Sequence, residues 1–185
     1  PAGARGWPPP PPPPAGAAAS PAGFERYTRG VRERFETSIS SSTLAYTFQY
    51  PATWEPQLVS LNDGKLYGVD LRYGDTAEGQ LAVHLLPYVG GDSLEDVGAP
   101  EAVLDRFVEL IGSFWADNGF GDPGRAGSLE RAYPEKRGGR VYYRYELTGP
   151  HNLISACLAD GQLYVLAAGA SGRQWRKEAT EAHLR

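Results

Sequence analysis

Residues 100–119 read PEAVLDRFVELIGSFWADNG, and this stretch carries the strongest local signal in the sequence. Apolar side chains recur there every three or four residues, which predicts an α-helix with one apolar face. Pro100 suits the first helical position and Asn118-Gly119 suits the end of the helix. The apolar set is Val103, Leu104, Phe107, Val108, Ile111, Phe114 and Trp115. We therefore predict a long helix from Pro100, packed against a sheet through this face.

Alternating apolar and polar residues on both sides of this helix predict the strands of that sheet. Ala159-Asp160-Gly161 joins the last two of them as a hairpin turn. Strands joined by such short turns are antiparallel neighbours, since a parallel crossover needs about a dozen residues or more. The predicted strand segments are 44–50, 66–73, 80–88, 141–148, 153–158 and 163–168.

Both ends of the domain are predicted to be helical. Phe24, Tyr27, Val31 and Phe35 recur at helical spacing, and a last helix begins at Arg173. Asn62-Asp63-Gly64 predicts a turn. The fold class is therefore α+β: an antiparallel sheet sandwiched between the long helix on one face and the terminal helices on the other.

The chain is predicted to have one folded domain, residues 24–185, behind a Pro/Ala-rich tail, residues 1–23. Seven consecutive prolines, Pro8 to Pro14, predict a polyproline II spacer in that tail. The last helix reaches the final residue without a C-cap, so we expect the natural chain to continue.

Composition excludes several function classes. The 185 residues carry a formal net charge of −4, so we expect no nucleic-acid partner, which would require a basic face. No stretch approaches the roughly 20 apolar residues of a membrane span, so we expect at most a peripheral membrane protein. One cysteine, Cys157, excludes an intrachain disulfide and any multi-cysteine metal site.

Charge is unevenly distributed along the chain. Residues 44–124 hold 13 acidic and 3 basic side chains, whereas residues 1–43 and 125–185 are both net basic. This pattern suggests an oriented molecule with an acidic surface and a basic end formed by the terminal helices. Ordinary solubilising charge explains the same pattern, and the sequence leaves both interpretations open.

Motif tests reveal no catalytic or nucleotide site. Residues 119–124 match G-x-G-x-x-G, but they follow a helix and not a strand, so we interpret them as a helix end and turn. His84 is expected to be a hydrogen-bonded sheet residue, and Cys157 a buried, inert thiol. His151 opens a strand and is the metal-ligand candidate among the histidines. Because the sequence supplies only distant second ligands, a structural or partner-contact role is favoured over metal binding. Asp92, Glu95 and Asp96 are explained as a weak calcium site or as a solvated helix start.

Several motifs in order resemble the PsbP-domain proteins of the thylakoid lumen. The resemblance extends over about residues 44–178. The family fold, an antiparallel sheet between helices, agrees with the fold class above. The motifs are YTFQYPATW at 46–54, Gly98 to Glu101, Gly139 to Tyr145, His151 to Ala156, Gly161 to Tyr164, and Gly172 to Trp175.

The resemblance implies a non-enzymatic accessory protein of photosynthesis in the chloroplast thylakoid lumen, without a cofactor. The founding member is an extrinsic photosystem II subunit that helps retain calcium and chloride at the oxygen-evolving centre; other relatives assist photosystem assembly. His151 matches the family's metal-associated histidine, but Gly172 stands where the founding member has an acidic residue.

The first hypothesis is therefore a monomeric assembly or accessory factor that docks on lumenal subunits of photosystem I or II. The expected docking residues are Arg26, Arg29, Arg173, Trp175, Arg176 and Lys177. These side chains are equally explained as solvated helix faces, with the tryptophan anchoring the last helix. The alternatives are a calcium-retaining subunit of photosystem II, or a hydrolase or small-ligand binding protein with a cleft near His151.

Overall fold

The computed structural model describes residues 21–30, 32–33, 42–120, 128–148 and 151–170. Two compact units are distinguished, one within residues 1–52 and one within residues 53–185. Residues 1–20 of the predicted tail and the predicted helix from Arg173 lie outside the described residues.

The first unit contains two paired strands and a smaller strand pair. β1 (Phe24–Arg29) pairs antiparallel with β4 (Tyr46–Pro51), and β2 (Arg32–Glu33) pairs with β3 (Ser42–Thr43). The predicted N-terminal helix is thus wrong from Phe24 to Arg29. Tyr27 lies opposite Phe48, and the centres of their rings are 5.2 Å apart. This cross-strand aromatic pair stabilises the strand, although the spacing of Phe24 and Tyr27 also fits a helix.

The second unit is built on a seven-stranded antiparallel sheet in the order β5-β6-β7-β11-β10-β9-β8. Its strands are β5 (Glu55–Gln57), β6 (Val69–Asp75), β7 (Gly79–Pro87), β8 (Leu129–Arg137), β9 (Arg140–Leu147), β10 (His151–Ala159) and β11 (Gln162–Ala170). The predicted hairpin at Ala159-Asp160-Gly161 is confirmed as the turn between β10 and β11. β5 and β8 lie outside the strand segments predicted from the sequence.

Three helices are described in this unit: α1 (Leu61–Tyr67), α2 (Leu94–Val97) and α3 (Pro100–Asp117). The long helix from Pro100 is confirmed, with Pro100 at its start. The predicted turn at residues 62–64 is wrong, because Ser60 caps α1 by accepting from the Asp63 amide and the helix continues to Tyr67. The predicted strand at 66–73 accordingly begins only at Val69, after Gly68 ends α1 with a left-handed φ of 61°.

The core lies between α3 and one face of the sheet. Phe107, Ile111 and Trp115 of α3 are at most 1% exposed, and they pack over Tyr145 and Val165 of the sheet. Truncation of one such aromatic side chain to alanine costs about 3–5 kcal/mol in well-packed cores. The apolar stripe that predicted the helix is therefore its core contact.

Tyrosine hydroxyls tie the start of α3 to the sheet. Tyr143 donates to the Gly98 carbonyl at 2.8 Å, and Tyr145 donates to the Pro100 carbonyl at 2.9 Å. At the other end the Phe120 amide donates to the Trp115 carbonyl at 2.9 Å. The start of α3 is thus fixed to the sheet by two side chains, and its end is closed by a backbone hydrogen bond.

The fold class is confirmed as α+β with an antiparallel sheet, with helices described on one face. The further prediction of terminal helices on the opposite face is wrong for the N-terminal segment, which forms β1. In the described parts of the chain, no helix combines the length and hydropathy needed to cross a membrane.

Candidate functional site

His84 is buried between β7 and α3 with both ring nitrogens engaged. Its Nδ1 lies 2.9 Å from the Tyr67 carbonyl, and the Trp115 indole N–H donates to its Nε2 at 3.1 Å. Because Nε2 accepts, Nδ1 carries the proton and the ring is neutral. Burial, as the main cause, lowers the pKa of His84 from 6.5 to about 4. The predicted role as a hydrogen-bonded sheet residue is confirmed.

A cavity of about 370 Å³ opens where the β6–β7 turn meets the end of α3. Its lining includes Arg72, Asp75, Glu78, Gln80 and Gly119. The Asp75 carboxylate accepts from the backbone amides of the β6–β7 turn at 2.7 and 3.0 Å. Glu78 accepts from a threonine hydroxyl at 2.7 Å. These two carboxylates therefore fix the turn.

Arg72 bridges the sheet and α3. Its guanidinium donates to Gln80 at 3.1 Å and lies 5.5 Å from the centre of the Phe114 ring. Gln80 in turn donates to the Asn118 carbonyl at the end of α3. Burial lowers the pKa of Arg72, and the negative charge of Asp63 partly opposes that shift. Arg72 thus holds the Gln80 side chain that contacts the end of α3, so it has a structural role here.

His151, the predicted metal ligand, is the first residue of β10 and is half-buried. It lies opposite Ala170 of β11, outside the lining of the cavity. Among the described residues, no group of three or more histidine, cysteine, aspartate or glutamate side chains could hold a metal ion. A metal site at His151 stays a sequence-based prediction.

Ser93 and Asp96 form a capping box at the start of α2, the short helix before α3. Asp96 accepts from the Ser93 amide at 2.9 Å and from the Asp92 amide at 3.1 Å, while its own amide donates to the Ser93 hydroxyl. These hydrogen bonds lower the pKa of the Asp96 carboxyl. This capping box matches the interpretation of the segment as a helix start.

The predicted docking residues are divided between two regions. Arg26 and Arg29 both lie in β1, where residues three apart point to opposite faces. Arg29 shares a face with Tyr46 and donates to the Tyr27 hydroxyl at 3.2 Å, whereas Arg26 lies opposite Gln49 on the other face. The helix that was expected to present both together is absent here, so they do not form one surface. The other four, Arg173, Trp175, Arg176 and Lys177, lie outside the described residues.

β9 places its tyrosines on both faces of the sheet, because successive side chains of a strand alternate. Tyr143 and Tyr145 face α3, whereas Tyr142 lies on the other face and interacts with the Cys157 thiol. Cys157 is 6% exposed, and its burial raises the pKa of the thiol. The expectation of an inert thiol agrees with this environment.

Exposed leucines on and before α1 are the feature that sequence reasoning missed. Leu58, Leu61 and Leu66 are 95%, 83% and 67% exposed. No pattern in the sequence separates them from core leucines, because their exposure follows from the way α1 packs on α3. Val89, after β7, and Leu110, on α3, are also exposed, at 99% and 47%.

The helical side of the second unit is also its acidic side. Residues 88–118 contain seven acidic and one basic side chain, whereas β8, β9 and their turn, residues 129–147, contain five basic and three acidic ones. Arg144 and Glu135 on the latter strands form an ion pair at 2.7 Å. Within the described residues the acidic charge is thus concentrated on α2 and α3, and the basic charge on β8 and β9. The basic end expected from the terminal helices is not found at the N-terminal segment, which forms β1, and the C-terminal segment lies outside the described residues.

Comparison with known proteins identifies one family. The PsbP family model matches residues 33–184. PsbP domain-containing protein 4, chloroplastic, of Arabidopsis thaliana is 30% identical over 145 residues, or 74% of this chain and 52% of that protein. This chain therefore spans about half the length of that relative. CyanoP of Thermosynechococcus vestitus is 30% identical over 145 residues, or 71% of this chain and 73% of that protein.

A solved structure supports the fold. The solution structure of cyanobacterial PsbP (CyanoP) from Synechocystis sp. PCC 6803 has a TM-score of 0.57 and 24% sequence identity. The match covers 92% of this chain and 95% of that chain.

Proposed function

The chain belongs to the PsbP family, and from this membership we propose that it is a non-enzymatic accessory protein of photosynthesis that docks on a photosystem at the lumenal side of the thylakoid membrane. The family match over residues 33–184 carries the proposal. The chloroplastic and cyanobacterial relatives agree with a role in photosynthesis.

The environments of the titratable side chains support a binding role over a catalytic one. His84 is neutral and hydrogen-bonded at both nitrogens, and Arg72, Asp75 and Glu78 hold the fold beside the cavity. A catalytic base or nucleophile requires a reactive group within reach of a substrate. Each of these groups instead makes hydrogen bonds within the protein.

The proposed role is an assembly or accessory factor and not a permanent subunit. Tagged full-length protein should co-migrate with photosystem assembly intermediates when solubilised thylakoid membranes are separated on native gels. Deletion of the gene should lower the accumulation of one photosystem. Co-migration mainly with mature, oxygen-evolving particles would instead indicate a stable photosystem II subunit.

Arg26 and Arg29 allow a sharper test within the first unit. Because they lie on opposite faces of the β1–β4 ribbon, Arg26→Glu and Arg29→Glu probe two different surfaces. If docking uses one face of this ribbon, one charge reversal should weaken association several-fold, and raised salt should weaken the wild type as well. Absence of the protein from every photosystem complex, together with unchanged photosystem levels in the deletion strain, would contradict the proposed function.

A further inference from the structure

Two arginines lie opposite each other at the end of the β8–β9 hairpin. Arg137 is the last residue of β8, and it pairs with Arg140, the first residue of β9. The turn between them consists of Gly138 and Gly139, whose φ angles are 57° and 78°. Positive φ at both positions is typical of the tight turns that fix the register of a hairpin. The two residues, which we call the arginine pair, are therefore held on the same face of the hairpin.

The arginine pair is unfavourable for the isolated protein, because like charges directly opposite each other destabilise a strand pair. Glu135 lies 3.8 Å from Arg137, but it is closer to Arg144, at 2.7 Å. For Arg140, no carboxylate lies within ion-pair distance in the described part of the chain. Both arginines of the pair are exposed. A local conflict without a compensating contact is typical of a functional site.

The surroundings of the arginine pair resemble the centre of a protein interface. Burial raises the pKa of Tyr142, and the charges of Arg140 and Arg137 both oppose that rise, so both guanidinium groups lie near its hydroxyl. Tyrosine and arginine are the side chains most often found at binding hot spots. A second contact of this kind lies on the same face, where the Arg131 guanidinium is 4.5 Å from the centre of the Tyr133 ring.

The face that carries the arginine pair points away from α3 and is net basic. Tyr143 and Tyr145 of β9 face α3, so the alternate residues of the strand face the other way. On that outer face, four arginines stand against two glutamates, which leaves a net charge of +2. The residues of this face are Arg131, Tyr133, Glu135, Arg137, Arg140, Tyr142, Arg144 and Glu146.

We propose that the arginine pair binds a carboxylate from an acidic segment of another protein. Planar guanidinium groups donate two parallel hydrogen bonds to a carboxylate, which gives such contacts both strength and a defined geometry. The negative charge would also remove the repulsion between Arg137 and Arg140. Because the turn already fixes the two residues, a partner would meet a preorganised site. That the partner belongs to a photosystem or its assembly machinery rests on the proposed function.

Other occupants fit the charges less well. Recognition of anionic lipid typically uses about four to eight clustered cations, whereas this face has a net charge of +2 and the whole chain one of −4. A second copy would offer its acidic helices. Joining two unlike surfaces in this way builds rings or open-ended chains and not a closed pair. An acidic segment of a different protein needs neither a larger basic cluster nor polymerisation.

The test converts the proposed contact into a covalent bond. Arg140→Lys keeps the positive charge and supplies an amine, which a carbodiimide couples to a carboxylate in direct contact. The full-length variant is treated in thylakoid membranes, and the exposed native Lys65 on α1 is the internal control. We expect an amide between position 140 and an aspartate or glutamate of another protein, without the same product at Lys65. Its yield should fall about tenfold in an Arg137→Gln background and should fall with added salt.

Coupling at position 140 only to Glu135 or to another carboxylate of the same chain would overturn the inference. So would coupling to a second copy, equal yields at position 140 and Lys65, or no coupling at all. Flotation with phosphatidylglycerol vesicles tests the lipid alternative. Binding of the wild type to these vesicles that Arg137→Gln/Arg140→Gln abolishes would identify lipid as the occupant and would also overturn the inference.

Thermal unfolding distinguishes a binding role from a structural one. Arg140→Gln removes one of two opposed charges, so it should melt at or above the temperature of the wild type. Arg106→Gln is the matched control, because Arg106 is an exposed arginine that forms an ion pair with Glu109 at 3.2 Å. A lower melting temperature for Arg140→Gln than for Arg106→Gln would mean that Arg140 stabilises the fold, against the inference.

Native-gel migration separates this inference from the proposed function. If the wild type and Arg137→Gln/Arg140→Gln co-migrate equally with photosystem complexes, the docking role stands and the arginine pair is the wrong surface. If only the wild type co-migrates, both are supported. If the wild type does not co-migrate and position 140 still couples to an acidic segment of an unrelated protein, the arginine pair stands and the photosystem role fails.

Discussion

The buried histidine should make the protein lose stability as the solution is acidified. His84 is neutral in the fold, with its pKa lowered from 6.5 to about 4. In the unfolded chain His84 therefore binds a proton below about pH 6.5, whereas in the folded chain it stays neutral down to about pH 4. Stability from this group is complete above pH 6.5 and is lost progressively as the pH falls to about 4. At about 1.4 kcal/mol per pH unit, the full shift is on the order of 3 kcal/mol.

Urea unfolding at several pH values between 7.5 and 4 measures this effect. His84→Gln is the comparison, because glutamine can accept from Trp115 and does not titrate. The variant should be less stable at pH 7.5 by about 1–3 kcal/mol, since the Tyr67 carbonyl loses its buried donor. Its stability should then fall less steeply than that of the wild type, so the two curves converge on acidification. Carboxylates contribute equally to both proteins and cancel in the difference. Parallel curves would refute the assignment of the pH dependence to His84.

Further predictions concern two glycines of α1 and its end, the Tyr145 hydroxyl and the Cys157 thiol. Gly68→Ala should destabilise by about 1–3 kcal/mol, because φ is 61° and the added Cβ would clash with a β7 carbonyl. Gly64 lies inside α1, where an added Cβ would make only an ordinary van der Waals contact, so Gly64→Ala should instead stabilise the protein by up to about 1 kcal/mol. Equal melting temperatures for the Gly68→Ala and Gly64→Ala variants would contradict the assignment of Gly68 as the end of α1. Tyr145→Phe should cost about 1 kcal/mol by removing the hydrogen bond from its hydroxyl to the Pro100 carbonyl, and unchanged urea unfolding would argue against that bond. Cys157 should react with a thiol reagent far more slowly in the folded than in the unfolded protein; equal rates would contradict its burial and raised pKa.

The parts of the fold that were predictable from the sequence are those with long, regular periodicity. The apolar stripe of α3 is unambiguous because seven side chains repeat it, and β10 and β11 are marked by a hairpin turn. The six residues of β1 are too few to establish a period, because Phe24 and Tyr27 fit helical spacing and also fit opposite faces of a strand. Its partner strand, β4, decides the outcome through a contact that the local sequence does not show.

The surface features were less predictable than the core. Leu61 and Leu66 look like core residues in the sequence, and only the position of Tyr67 against α3 determines that they point outward. β8 carries charged residues on both faces and therefore lacks the alternation of a half-buried strand. The family was identified from ordered motifs because these mark turns and strand ends that the fold keeps at fixed spacing.

The two edges of the sheet have a consequence for how this protein associates. The outermost strands each contain a proline, Pro56 in the three-residue β5 and Pro134 in β8. A proline offers no amide hydrogen to an incoming strand, and the neighbouring Lys136 and Arg137 further discourage edge-to-edge pairing. The sheet is therefore protected against polymer growth by strand addition. A partner that cannot add a strand to the sheet must bind through the side chains instead.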